Sequence, residues 1–167
     1  LAGFIVETLP SSLPFVFVPV TIFLLGMLIS FATGTSWGTM TILTPIAIPL
    51  AFSLTSDPIL SVAMAGVVFS GAIFGDHCSP ISDTTVLASI FSGADHIDHV
   101  QTQIPYALTS AAVALVMYFI YGIFQITPLV LIPAGLVMLY FLMNGLSKIS
   151  QNKYNIHPET KKKIKEA

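Results

Sequence analysis

No lysine or arginine stands before Lys148 in this chain of 167 residues, and the long stretch that lacks them is assembled from apolar runs. Leu13 to Ala32, Met40 to Leu54, Pro58 to Gly75, Ile104 to Gln125 and Thr127 to Met143 are almost free of charge. A helix needs about 20 such residues to cross a hydrocarbon core. Soluble domains carry about 25% charged residues, whereas here 8% are charged, 54% are hydrophobic and the mean hydropathy is +0.88. The short alternating segments of a membrane β-barrel are not seen. The expected fold class is therefore an all-α membrane protein, a polytopic helical bundle.

The punctuation between these runs sets the expected organisation. Thr33-Gly34-Thr35-Ser36-Trp37 follows the first run, with two more small or hydroxyl residues at Gly38 and Thr39, and can support backbone that leaves helical geometry. Pro45 and Pro49 interrupt the next run, each removing an internal helix hydrogen bond. A re-entrant hairpin and two ordinary spans both fit Leu13 to Leu54. Ser56-Asp57-Pro58 is a turn that caps the following helix, in which Gly66 and Ser70, four apart, allow close helix packing. A polar loop is expected from Gly93 to about Gln103. Residues 1–145 read as the membrane domain and 146–167 as a basic tail, placed in the cytoplasm by the positive-inside rule. Counting back two spans puts the Asp95 to His99 loop on the same side. The single Cys78 sets no redox compartment. No charged leader with a cleavage site precedes the apolar runs, so no signal peptide is expected, and a chain starting at Leu1 reads as a fragment.

Against this background Gly75 to Thr85, GDHCSPISDTT, is the exceptional segment. An ionised Asp at the centre of a span costs about 2.5 to 3.5 kcal/mol on insertion scales, and such residues default to an ion or proton site. Ser79-Pro80 disfavours helix at residue 79, while Asp83 ahead of Thr84 and Thr85 is suited to cap a new short helix, so the segment describes a broken helix. The helix ending at Gly75 would present free carbonyls to a cation, with Asp76 just past that end. Ser79, Ser82, Asp83, Thr84 and Thr85 add oxygen ligands suited to a hard cation such as Na+, assigned here to Asp76 and Asp83. Proton coupling follows if the carboxylate that holds the ion is protonated when the ion leaves. Asp83 serves either as a second ligand or as a cap, and His77 either as a proton relay or as a packing residue. Cys78 reads as small apolar filler. Thr33, Gly34, Thr35, Ser36 and Trp37 resemble the tip of a second broken element, of the kind transporters pair around one site. Asp95, His96, Asp98 and His99 read as a solvated loop rather than a metal site. The Lys161 to Lys165 run reads as an orientation determinant touching anionic lipid, not a nucleic-acid patch.

FATGTSWGTM at residues 31 to 40 and FGDHCSPISDTTVLAS at residues 74 to 89 resemble the NhaC-type Na+/H+ antiporter family. The resemblance implies a secondary transporter of the bacterial inner membrane that exchanges Na+ for H+, with no cofactor and no enzymatic activity. It implies a fold in which each of two inverted repeats pairs a re-entrant hairpin with a broken helix. Leu13 to Leu54 would be the hairpin, entering from outside, and Pro58 to Phe91 the broken helix. The chain would then be the C-terminal repeat, partnered by membrane lipid and by the N-terminal repeat of the same protein. Sodium-coupled exchange of malate, lactate or an amino acid is the alternative, although no Lys or Arg in the spans offers an anionic substrate a partner. A non-transporting membrane subunit and an intramembrane aspartyl protease are weaker readings. The protease pattern GxGD would need Gly at position 73, where Ile73 stands.

Overall fold

The structure, a computed structural model, describes residues 14–153. The N-terminal residues and the Lys161 to Lys165 run lie outside the described residues, so the orientation assigned to that run finds no structural counterpart here. Six helices follow in order: α1 (Phe17–Thr33), α2 (Ser36–Thr55), α3 (Pro58–Cys78), α4 (Asp83–Ser92), α5 (His96–Phe124) and α6 (Pro128–Lys153). Among the described residues there is no strand. Four of these helices, α2, α3, α5 and α6, are long and apolar enough to cross a membrane, while α1 is a shorter apolar helix of 17 residues. The chain is thus an all-helical, polytopic membrane protein segment.

Local chemistry sets most boundaries. Gly34 ends α1 in the left-handed region at φ 68°, and Thr35, extended at φ −140°, begins α2 by accepting the Gly38 N–H at 3.4 Å. The expected turn at Ser56 to Pro58 is present: Asp57 accepts the Ile59 N–H at 2.8 Å and Pro58 occupies the first turn of α3. Pro45 and Pro49 do not divide α2, which runs through both as one helix. The polar stretch after Gly93 is also shorter than expected. Asp95 caps α5 by accepting the N–H groups of Ile97 at 2.9 Å and Asp98 at 3.1 Å, so helix begins at His96 and includes most of the expected loop. At the other end α6 continues to Lys153, past the residue where the tail was expected to begin.

The core forms where α3 packs against α1, α2 and α5, with Phe23, Leu43, Ala47, Met64 and Val68 buried. The small residues that bring the helices together are not Gly66 and Ser70. A methyl group at Gly66 would meet open space, because this face of α3 borders an apolar cavity of about 540 Å³ shared with α5 and α6. Ser70 instead shares a hydrogen bond with Tyr118 of α5. The close approach lies on the other face of α3. A Cβ at Gly71 would stand 2.6 Å from the Phe23 carbonyl oxygen, and one at Gly75 would run into the Phe31 backbone and stand 2.5 Å from Ser30 Cβ. Backbones this close need small residues, as in membrane helix pairs generally. At the periphery α6 packs on α5 alone and presents Leu129, Leu136, Tyr140 and Phe141 outward. An outward apolar surface of this extent suits lipid or further protein.

Forcing a methyl group between packed backbones costs about 1–3 kcal/mol. Gly75→Ala in the whole protein is therefore expected to lower the thermal midpoint in detergent, whereas Gly66→Ala should leave it unchanged or slightly raised. Equal shifts for the two variants would refute this packing register.

Candidate cation site

α3 does not stop at Gly75. It continues through Cys78, with the Ser79 N–H bonded to the Gly75 carbonyl at 2.9 Å, and the chain then leaves helical geometry until Asp83. Asp76 therefore lies within the last turn of α3 rather than beyond its end, where the helix dipole disfavours its negative charge. Hydroxyl groups offset this. Ser82 Oγ donates to Asp76 Oδ1 at 2.6 Å and Ser36 Oγ donates to Asp76 Oδ2 at 3.1 Å. With its one proton given to Asp76, Ser82 receives the Thr84 hydroxyl proton across 2.8 Å. Thr85 Oγ1 donates to the carbonyls of Asp76 and His77 at 3.3 and 3.4 Å. One half-buried carboxylate thus holds hydroxyls from two places, Ser36 at the start of α2 and Ser82 at the break ahead of α4.

The break itself is held on α1. Ser79 Oγ donates to the Phe31 carbonyl at 2.8 Å, Ser30 Oγ donates to the Ala72 carbonyl, and a Cβ at Gly34 would lie 2.9 Å from the Ile81 backbone. The turn between α1 and α2 and the break between α3 and α4 therefore touch.

The other residues singled out in sequence stand apart from the carboxylate. Asp83 is the first residue of α4 rather than its cap, a position taken by Ser82; it is exposed, and its Oδ1 accepts the Thr84 N–H at 2.8 Å. His77 points away from Asp76 into a cavity of about 400 Å³ that it lines with Gln103 and Tyr106. Thr33 donates to its own helix at Ile29, 2.8 Å away, and Trp37 is 80% exposed. Gly34 and Thr35 form the turn. Cys78 is buried, its thiol directed to the Phe74 carbonyl at 3.1 Å.

Three further residues join this region that sequence reading assigned to a solvated loop or did not assign. His96 Nε2 donates to the Pro80 carbonyl at 2.7 Å, while Ser89 Oγ lies 3.1 Å from His96 Nδ1 and 3.3 Å from His99 Nδ1. The signal was available: His96 and His99 are three apart and share one face of a helix.

The donor set defines what the site is able to do. Among the described residues no three His, Cys, Asp or Glu side chains gather as a metal-binding group. What is present is one carboxylate, the four hydroxyls of Ser36, Ser82, Thr84 and Thr85, and the carbonyls of a helix end, all oxygen, which suits hard cations. A hydroxyl that donates to Asp76 can rotate to offer its lone pairs to an ion.

Residues 1–123 match the model of the Na+/H+ antiporter family. An uncharacterized protein of Haemophilus influenzae is 46% identical over 112 residues, 67% of this chain and 21% of that protein. An uncharacterized Na(+)/H(+) antiporter of the same organism is 36% identical, covering 62% of this chain and 22% of its own. The malate-2H(+)/Na(+)-lactate antiporter of Bacillus subtilis is 42% identical, covering 64% and 24%. The chain spans between a fifth and a quarter of the length of these relatives. No solved structure gives a significant match. With a family match across nearly three quarters of its residues, and a hydroxyl-lined carboxylate at a helix break within the matched region, the chain belongs to the Na+/H+ antiporter family.

Proposed function

We propose that the whole protein of which this chain is a part exchanges Na+ for H+ across the cell membrane, with Asp76 as the carboxylate that holds each in turn. The observation that carries this reading is the sharing of the Asp76 carboxylate between Ser36, just after the turn between α1 and α2, and Ser82, in the break between α3 and α4. With the ion bound, Asp76 is ionised and the hydroxyls present lone pairs. When the ion leaves, a proton neutralises the carboxylate and the site crosses without net charge. His77 and Asp83 take secondary parts, since neither touches Asp76. The protein performs no covalent chemistry in this scheme. It needs the remaining part of the protein, including the N-terminal repeat, to enclose the site, and lipid to cover the outward apolar faces.

A second reading, exchange that also moves an organic anion, draws support from the relative named for malate and lactate. The names of that relative and of the Na(+)/H(+) antiporter share sodium and protons. Cation and proton exchange is the part common to both, and no Lys or Arg before Lys148 offers an organic anion a partner here.

In vesicles bearing the whole protein, Asp76→Asn is expected to cut proton release on a Na+ pulse by about a hundredfold, because the amide neither ionises nor takes up the proton. Asp83→Asn should stay within about threefold of wild type, since the exposed carboxylate accepts the Thr84 N–H and stands apart from Asp76. Retained flux in Asp76→Asn would remove this mechanism.

Ser36→Ala and Ser82→Ala each remove one oxygen from the ion and should raise the KM for Na+ about tenfold, equivalent to about 1.4 kcal/mol, at little cost in maximal rate. Because proton and ion compete for one carboxylate, the KM for Na+ should rise as pH falls while the maximal rate holds. A maximal rate that falls with pH at unchanged KM would contradict a shared site.

The basic tail is assigned to the cytoplasmic side by the positive-inside rule. A reporter fused after Ala167 is expected to be active only in its cytoplasmic form, and the opposite result would invert the topology.

A further inference from the structure

α4 is an unusual helix for apolar surroundings. Its buried residues are Thr85 and Ser89, both hydroxyl side chains, while Leu87, Ile90 and Phe91 are exposed. It therefore lacks the buried apolar face that normally fixes a helix in its bundle, yet its N-cap residue Ser82 has to meet Asp76 to within hydrogen-bond distance. Polar ties hold it instead. Thr85 reaches the end of α3, and Ser89, seven residues before His96, reaches the first turn of α5.

The pattern of donors orders these ties. The Pro80 carbonyl only accepts, so His96 Nε2 carries the hydrogen across their 2.7 Å. In neutral His96 the other ring nitrogen, Nδ1, is then an acceptor. The single Ser89 hydroxyl hydrogen is shared between the Thr85 carbonyl at 2.9 Å and His96 Nδ1 at 3.1 Å, and His99 Nδ1 at 3.3 Å donates to the Ser89 oxygen in turn. A continuous line of hydrogen bonds runs from His99 through Ser89 and His96 to the break. Pro80 is two residues from Ser82, so the line ends next to the hydroxyl that serves Asp76. His96 also spans α4 from outside, gripping the break before it and Ser89 near its end.

We propose that His96 is a positioning residue for the Asp76 site: by holding the Pro80 carbonyl and Ser89 together it sets where Ser82 stands relative to the carboxylate. This rests on the reading of Asp76 as the ion-carrying group. His96 touches neither ion nor carboxylate; it acts through the break.

The test compares wild type, His96→Ala and His96→Gln in the whole protein in lipid nanodiscs. A glutamine amide reaches where Nε2 does and keeps an N–H for the Pro80 carbonyl. Hydrogen exchange should quicken about tenfold at the amides of Ile81 to Thr84 in His96→Ala, while amides of the α1–α3 core stay protected. In vesicles the same variant should raise the KM for Na+ about fivefold to tenfold with the maximal rate nearly kept, and His96→Gln should bring both readings back towards wild type. Unchanged exchange in His96→Ala, an unchanged KM, or a glutamine variant as defective as the alanine one would overturn the proposal. So would loosening spread equally over the α1–α3 core that glutamine fails to repair. If wild-type vesicles move no protons on a Na+ pulse, the antiport reading falls, and the exchange comparison still decides whether His96 holds the break.

Discussion

A helix interrupted in apolar surroundings persists only if protein receives the backbone groups it frees, and the close approach of α1 to α3 makes that reception available here. Gly71 and Gly75 leave no room for a Cβ against Phe23, Ser30 and Phe31, so the two backbones run nearly in contact towards the break. At that separation Ser30 reaches the Ala72 carbonyl and Ser79 reaches the Phe31 carbonyl. Gly34 then meets Ile81, and Ser36, two residues further on, falls beside Asp76. The site is a consequence of this contact.

The electrostatics of Asp76 follow from the same arrangement. A carboxylate in the last turn of a helix faces the negative end of the dipole, and in an apolar environment it has little water to compensate. Two hydroxyls supply the compensation, one from each neighbouring helix. Because they come from different elements, the strength with which Asp76 is solvated by the protein depends on how α2 and α4 stand relative to α3. α2 is anchored by buried Leu43, Ala47 and Ala51, whereas α4 buries only hydroxyl side chains. Ser82 is therefore the partner whose position rests on polar ties.

Much of this was legible in the chain. Four of the five apolar runs specified helices of spanning length, Ser56-Asp57-Pro58 specified a capped start, and Ser79-Pro80 specified a break, because each depends on local properties: run length, side-chain capping and the steric effect of proline. Local chemistry misled where two local signals competed. Asp83 and Ser82 are both good capping residues, and the helix took Ser82 as its boundary, leaving Asp83 exposed in its first turn. Asp95 outweighed the polarity of the following residues and extended α5 by eight positions. Gly66 with Ser70 and Gly71 with Gly75 are both pairs of small residues four apart. They lie on different faces of α3, and nothing local distinguishes the face that meets α1 from the face that meets a cavity.

The amino-acid sequence by itself determined that this chain is a bundle of membrane helices, that one of them is broken within Gly75 to Thr85, and that Asp76 is the charge in need of a partner. These follow from the cost of burying charge and from backbone chemistry within a few residues. Only the tertiary structure decided which hydroxyls answer that charge, which face of α3 carries the helix contact, and that His96, read as part of a loop, joins Ser89 in contact with the break. Each of those depends on contacts between residues distant in sequence or on the rotational register of a helix, and register is set by packing against neighbours.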